Sequence, residues 1–124
     1  MHELGITHSI LNIAVKHAQQ VGAIRIKELN LVIGEMSSIV DDSVQFYWEM
    51  VAQGTLAEGS TLNFRRVAGR LHCDGCGHEF AFNRQDFVCP QCQSPQIRIV
   101  GGEEFFLESI DVDFDPEKQR PVQP

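Results

Sequence analysis

Four cysteines in two Cys-x-x-Cys pairs carry the strongest chemical signal in the chain. Cys73 and Cys76 enclose Asp-Gly, Cys89 and Cys92 enclose Pro-Gln, and twelve residues separate the pairs. One such turn presents two thiolates to an ion, and a hairpin brings a second turn opposite it. Four thiolates with no open position are typical of structural zinc, so the sequence predicts a zinc site formed by all four cysteines.

Other chemistries for these cysteines stay open at this stage. Tetrahedral sulfur ligation does not distinguish zinc from the single iron of a rubredoxin-like centre. A thioredoxin-type dithiol needs one pair in a βαβ context, and unligated thiols are the plainest alternative. His72 and His78 flank the first pair. Because four sulfurs already fill the coordination sphere, we interpret them as exposed residues that could tune the site through their charge.

The amino terminus, Met1-His2-Glu3, is a second candidate site. The α-amine of Met1, the backbone nitrogen of His2 and its imidazole Nδ1 can form adjacent chelate rings around one ion, with Glu3 as a further donor. Planar nitrogen and oxygen ligation suits Ni(II) or Cu(II) and not tetrahedral zinc. The hypothesis needs a free Met1 amine, which the bulky side chain of His2 favours by protecting Met1 from removal. The alternative is a chance histidine, which three residues alone favour.

Composition excludes some function classes. The chain has 17 acidic and 10 basic residues, a net charge of -7, and this field repels phosphate backbones and anionic membranes. No stretch reaches the roughly 20 apolar residues of a membrane span. A signal peptide is not evident, and paired cysteines suit a reducing compartment, so we expect a cytoplasmic protein without nucleic-acid or membrane partners.

Apolar spacing predicts a helix over residues 3–21 that ends at Gly22. Strands are predicted at 24–34, 60–67 and 104–114, and a second helix begins after Asp41, Asp42 or Ser43 as N-cap. The first helix is expected to bury a stripe of apolar residues: Leu4, Ile10, Leu11, Ile13, Ala14, Val15, Ala18 and Val21. The second is expected to bury Val44, Tyr47, Trp48 and Val51.

These elements predict an α+β fold, with two helices on a small three-stranded antiparallel sheet and an inserted four-cysteine zinc-ribbon module. The closing strand needs a sheet to join, which the small module cannot provide. The predicted domains are residues 1–68 plus 103–114, the zinc module at 69–102, and a disordered tail at 115–124. No nucleophile paired with a base stands out, so we expect a protein that is not an enzyme.

The order of motifs resembles the HypA family of hydrogenase nickel-insertion proteins. MHE at the terminus, a strand ending IGEMS, AEGSTL, and then CxxC-x12-CxxC before a closing strand carry the resemblance over residues 1 to about 114. It implies a metallochaperone that binds Ni(II) through His2, with Met1 and Glu3 nearby, and structural zinc through the four cysteines. It also implies a HypB-type GTPase partner and delivery to the large subunit of [NiFe]-hydrogenase, and in some members service to urease.

Details of the resemblance limit what transfers. Some members place an aspartate near the nickel before the second helix, and here Asp41 and Asp42 both offer that position. No histidine follows His78, so family variants with a nickel-binding histidine beyond the second cysteine pair do not apply. His78 matches a family histidine two residues past the first pair. A zinc-ribbon adaptor without a nickel role is the alternative function, and the sequence leaves a homodimer open.

Overall fold

The computed structural model describes residues 2–82 and 87–116, with His2 described by its backbone. Its elements are α1 His2–Gln20, β1 Arg25–Gly34, α2 Asp41–Val51, β2 Thr61–Val67, β3 Arg70–Cys73, β4 Glu79–Ala81, β5 Ile97–Gly101 and β6 Phe105–Asp113. They form two three-stranded sheets, in the orders β2-β1-β6 and β4-β3-β5. The predicted fold class is confirmed, while most of the predicted disordered tail, residues 117–124, lies outside the described part.

Helix α1 ends as its sequence predicts. Gly22 has φ +75°, its N–H donates to Gln19, and the N–H of Ala23 donates to the carbonyl of Ala18. This pair of bonds is the Schellman motif, which a glycine permits because it carries no Cβ. Of the eight residues in its predicted stripe the helix buries four and half-buries Leu4 and Val15. Ile13 and Val21 are 48% and 59% exposed, contrary to the prediction.

Helix α2 begins without the predicted side-chain cap. Its N-cap is Val40, which makes no side-chain cap hydrogen bond, and Asp41 and Asp42 lie inside the first turn. There both carboxylates lie at the positive end of the helix dipole, which stabilises them, and Asp41 Oδ1 also accepts the N–H of Asp42 at 2.9 Å. Trp48 is buried as predicted and donates from Nε1 to the Ser60 hydroxyl at 2.9 Å.

The sheet β2-β1-β6 is mixed, so the prediction of an antiparallel sheet is correct for one of its two pairs. The N–H of Ile24 donates to Asp113 and that of Gly34 to Glu104, so β1 and β6 are antiparallel. Between β1 and the segment that leads into β2, the residue numbers of contacting pairs increase together, from Ile26 with Leu56 to Asn30 with Asn63. The strands β1 and β2 are therefore parallel. Parallel strands need a crossover of a dozen or more residues, and the segment containing α2 provides it.

The outer face of this sheet is polar and hydrogen-bonded from strand to strand. Asn63 Nδ2 donates to Glu28 at 3.1 Å and to Asn30 at 3.0 Å, and Asn30 Nδ2 donates to Ser109 at 3.0 Å. Since this face is exposed, the two helices cover the other one. The core between them contains Ile10, Leu11, Ala14, Ala18, Ile26, Leu29, Leu31, Val44 and Trp48.

Two compact units can be distinguished along the chain. The first comprises Met1–Leu31, Val40–Phe64 and Phe106–Pro124, and the second comprises Val32–Ile39 and Arg65–Phe105. In the second unit β3 is central, with antiparallel neighbours that place Leu71 opposite Phe80 and Ile99. The boundaries predicted from the sequence, at residues 68/69 and 102/103, stay a prediction.

Three glycines of the second unit pack directly against one another. A Cβ on Gly34 would overlap the carbonyl group of Gly102 and approach the nitrogen of Glu103 to 2.8 Å. A Cβ on Gly102, which has φ +86°, would meet the Cα of Gly69 at 2.6 Å. We call this set the glycine contact, and it leaves no room for a side chain at Gly34 or Gly102, where the neighbours are backbone atoms.

Neither helix in the described residues has the length and apolarity that crossing a bilayer requires.

Candidate metal centre

The four cysteine sulfurs converge in the second unit. All four ligand atoms lie within 4.8 Å of one another, with Cys73 Sγ 3.5 Å from Cys92 Sγ and Cys76 Sγ 3.6 Å from Cys89 Sγ. A tetrahedral zinc with bonds of about 2.3 Å needs sulfurs about 3.8 Å apart. The donor set therefore fits one tetrahedral ion, and none of the four cysteines forms a disulfide.

The two Cys-x-x-Cys turns have the same backbone geometry. The N–H of Cys73 donates to His78 and its carbonyl accepts from Gly77, while the N–H of Cys89 donates to Ser94 and its carbonyl accepts from Gln93. In each turn the residue four after the first cysteine has positive φ, +80° at Gly77 and 64° at Gln93. The first cysteine of each turn is buried and the second is exposed, so the site has one enclosed and one accessible side.

Backbone N–H groups aim at the sulfurs. Gly75 donates to Cys73 Sγ at 3.3 Å and Gln91 donates to Cys89 Sγ at 3.4 Å. Burial opposes ionisation of Cys89, but the backbone N–H groups of Cys92 and Gln91 and the neighbouring thiols lower its pKa to about 7. Burial likewise opposes ionisation of Cys73, but backbone N–H groups and neighbouring thiols lower its pKa.

The other two thiols resist ionisation. The N–H of His78 favours the Cys76 thiolate, but desolvation by surrounding atoms and the three neighbouring sulfurs raise its pKa to about 12. The N–H of Ser94 favours the Cys92 thiolate, but Cys73, desolvation and Cys89 together outweigh it, and the pKa of Cys92 is raised. Four negative charges cannot collect here without a cation, and a bound divalent ion would deprotonate the coordinating thiols.

Zinc affinity is expected to rise steeply with pH. At neutral pH the metal-free protein holds protons on Cys76 and Cys92, whose pKa values are raised. The Cys89 thiol is protonated in about half of the molecules, because its pKa is about 7. Zinc must displace these protons, so lower pH weakens binding. The decimal logarithm of the zinc association constant should increase by at least two for each unit of pH. Competition with a chromophoric chelator across about pH 6 to 7.5 measures the slope. A slope below one would contradict this ionisation pattern.

Gln93→Gly is expected to stabilise the second turn. Gln93 occupies a left-handed conformation that costs a residue with a side chain roughly 1 kcal/mol, whereas glycine adopts it freely. Gln91→Gly is the matched control, because φ at Gln91 is not positive and the change should cost a few tenths of a kcal/mol. Chemical unfolding of the zinc-loaded protein gives the change in unfolding free energy for both variants. Equal changes would show that Gln93 is not strained.

The two histidines beside the first turn play different structural parts. The His72 ring lies 3.4 Å from Glu79 Oε2 and 3.8 Å from Asp74 Oδ1, and Arg98 also binds Asp74 at 2.9 Å. The His78 ring stacks on Phe80, with centroids 5.8 Å apart. Neither histidine belongs to the four-residue metal cluster, and their tuning of the zinc site stays a prediction.

Glu3 and the backbone of His2, two parts of the predicted nickel site, lie at the start of α1. The helix begins at His2, which places the backbone nitrogen of His2 in its first turn, where N–H groups have no acceptor within the helix. The carbonyl of Glu3 accepts the Thr7 hydroxyl at 2.5 Å, and Thr7 is fully buried. Met1 and the His2 side chain lie outside the described atoms, so their joint ligation stays a prediction.

Two features of the site were not predicted from the sequence. The sulfur-directed N–H groups of Gly75 and Gln91 belong to the backbone, and Gln93 is not a residue type that indicates positive φ. Aligning the two turns residue by residue would have shown Gln93 at the position of Gly77.

Comparison with known proteins agrees with this architecture. The family model for hydrogenase/urease nickel incorporation, metallochaperone, hypA, matches residues 1–112. A hydrogenase maturation factor HypA from Dehalococcoides mccartyi is 42% identical over 113 residues, covering 91% of this chain and 95% of its own. Its counterpart from Chlorobium limicola is 38% identical, covering 91% and 97%.

A solved structure also matches along nearly the whole chain. The solution structure of the Ni metallochaperone HypA from Helicobacter pylori has a TM-score of 0.62 and 25% identity, covering 91% of this chain and 98% of its own. Fold and site together define a small α+β protein with an inserted four-cysteine metal site. The chain belongs to the HypA family of nickel-incorporation metallochaperones, which act in hydrogenase maturation.

Proposed function

We propose that the chain binds one Ni(II) at its amino terminus and delivers it to the large subunit of [NiFe]-hydrogenase together with a HypB-type GTPase. The ligands are the Met1 α-amine, the backbone nitrogen and imidazole Nδ1 of His2, and Glu3 as a fourth donor. The observation that carries the proposal is that α1 begins at His2. The backbone nitrogen of His2, which the chelate needs, therefore lies where no helical hydrogen bond is lost by using it.

The helix also supplies a favourable field at this point. The N-terminal end of a helix carries a partial positive charge of about half an elementary unit, which stabilises a deprotonated amide nitrogen and the carboxylate of Glu3. The bond from Thr7 to Glu3 and the burial of Thr7 hold the first turn. Because free amines and imidazoles in general bind protons below about pH 8 and 6.5, nickel competes with protons for these ligands and is released in mild acid.

The four cysteines serve a structural role in this proposal. Cys73, Cys76, Cys89 and Cys92 hold zinc, which supplies charge neutralisation and a cross-link but leaves no open coordination position for catalysis. Nickel is cargo rather than a resident cofactor, and the protein is a carrier rather than an enzyme. Unbridged cysteines fit a reducing compartment such as the cytoplasm.

His2→Ala is expected to weaken nickel binding to the zinc-loaded protein at least about 100-fold, since even loss of an outer-shell partner costs 10- to 100-fold in metal affinity. Addition of one glycine ahead of Met1 should have a similar effect, because it moves the amine out of the chelate. Calorimetric titration with Ni(II) measures both.

His8→Ala is the matched control, because His8 is an exposed histidine on the same helix and should leave the affinity within about twofold. If His2→Ala and the extended protein bind nickel like the unmodified protein, the terminal site is wrong. If they also restore hydrogenase activity equally in a strain lacking the gene, the chain acts as a zinc-ribbon adaptor instead.

A further inference from the structure

A groove runs between helix α1 and strand β6 in the first unit. It has a volume of about 360 Å³, with Ile13, His17 and Val21 on the helix side and Leu107, Ile110 and Val112 on the strand side. Ile13 and Val21 are the two apolar residues of α1 that the sequence predicts as buried but that stand 48% and 59% exposed. Their exposure leaves an apolar strip within an otherwise covered core face.

The groove opens onto the edge of the sheet. In the order β2-β1-β6, β6 has β1 on one side and no described strand on the other. Glu108 and Ser109 line the groove together with their neighbours Leu107 and Ile110. Successive side chains of a strand point to opposite faces, so a groove that contacts four consecutive residues follows the edge, where backbone N–H and C=O groups are presented.

The dimensions of the two layers indicate what this edge accommodates. Two helices of about 10 Å diameter cover about 20 Å, whereas three strands spaced by about 4.8 Å span about 14 Å. The helical layer is therefore wider than the sheet by about one strand. An added strand would fit between the overhanging α1 and the edge of β6, and its inward side chains would contact Ile13 and Val21.

The acidic residues of β6 determine which kind of strand can pair with this edge. From Phe106 to Asp115, within the first unit, the chain has four acidic residues and no basic one. Arg25 and Lys27 contact one of these, Asp113, on the β1 side. Like charges on neighbouring strands are destabilising, so a second copy of β6 is a poor neighbour. A strand in which basic residues alternate with apolar ones matches both the acidic edge and the apolar strip.

We propose that the edge of β6, together with α1, is a docking site for an extended basic and apolar segment of a partner protein, which adds to the sheet as a fourth strand. The backbone of the segment pairs with β6, its apolar side chains enter the groove, and its basic side chains lie near Glu108. This site uses no metal ligand and does not depend on nickel binding.

The test uses the full-length zinc-loaded protein without nickel and a synthetic peptide of alternating lysine and valine with the length of β6. Binding is measured by calorimetry, and the site is located by amide shifts and hydrogen exchange. The proposal expects slowed exchange within residues 107–112. It also expects that a peptide with glutamate for lysine, or one N-methylated at every residue, binds at least about tenfold more weakly.

Matched variants separate this groove from the general negative charge of the protein. Val21→Lys and Glu108→Lys should each weaken binding about three- to tenfold, because each adds a positive charge beside the basic peptide. Met50→Lys and Glu49→Lys introduce the same charges on α2, where Met50 is 56% exposed, and should change binding less than twofold.

Three results would overturn the proposal. One is equal binding by the N-methylated peptide, which would show attraction without strand pairing. Another is equal weakening by the α2 variants, which would show a diffuse charge effect. The third is concentration-dependent dimerisation of the protein alone that Val21→Lys abolishes, which would make a second copy the occupant.

Discussion

Cys89→Ser is expected to abolish metal binding at the four-cysteine site and to unfold residues 65–105. Residues 65–105, where the structure describes them, have few buried side chains of their own. In the described residues between 65 and 105 the fully buried side chains are Leu71, Cys73 and Cys89. A module with so small a core depends on its metal, and structural zinc contributes an apparent 10 to 16 kcal/mol in small zinc modules.

Hydrogen exchange of the amides in β3 and β5, with and without a zinc chelator, measures this dependence. Protection should be lost in Cys89→Ser and in the chelated protein. The emission of Trp48, the single tryptophan, reports the first unit, where it is 1% exposed, and should stay that of a buried indole. His78→Ala is the control and should keep the metal, because His78 contacts the cysteine turn through its backbone. Unchanged protection after chelation would contradict a structural role for zinc.

Gly34→Ala is expected to destabilise the protein by about 3 kcal/mol or more, since overpacking against backbone cannot be relieved by a rotamer change. The added Cβ would overlap the Gly102 carbonyl in the glycine contact. Because φ at Gly34 is not positive, the effect would come from collision alone.

Two other glycines with open surroundings isolate the separate causes. Gly5 lies in α1 with nothing within 4 Å of an added Cβ, so Gly5→Ala should stabilise by roughly 0.5 to 1 kcal/mol. Gly54 also has open space but has φ +76°, so Gly54→Ala should cost about 1 to 2 kcal/mol. Denaturant unfolding of the three variants should give this order. A cost at Gly34 no larger than at Gly54 would show that the crossing backbones can move apart.

The parts of the fold that depend on local pattern could be predicted from the sequence. The apolar periodicity predicted α1, and Gly22 predicted where α1 ends. The alternation of apolar and polar residues predicted the closing strand, β6. Because an amphipathic strand needs a partner, the closing strand was predicted to join the sheet of the helices, with the cysteine module inserted before it. The structure pairs this strand, β6, with β1.

The predictions that were wrong concern features that depend on contacts between residues distant in the sequence. Helical spacing cannot show that the sheet ends beneath Ile13 and Val21, because sheet width is set by how many strands assemble. Strand direction escaped prediction because a segment containing a helix can return either parallel or antiparallel. Asp41 and Asp42 match an N-cap by residue type, yet Val40 takes that position and the carboxylates gain from the helix dipole instead.

For the metal sites, spacing was enough to predict that four cysteines share one ion position, because Cys-x-x-Cys turns have few alternatives. It was not enough for the unequal ionisation of the thiols, which follows from how backbone N–H groups and neighbouring sulfurs are distributed. The nickel assignment rests on the residue types of Met1, His2 and Glu3 and on family membership, with the start of α1 as its structural support.

X-ray absorption at the nickel edge, on protein loaded with one zinc and one nickel per chain, tests the central claim most directly. The claim is that nickel occupies the amino terminus and the cysteine site belongs to zinc. It predicts nickel surrounded by nitrogen and oxygen donors, including imidazole, while zinc keeps four sulfur neighbours at about 2.3 Å. Nickel with sulfur neighbours, or zinc released as nickel binds, would contradict it.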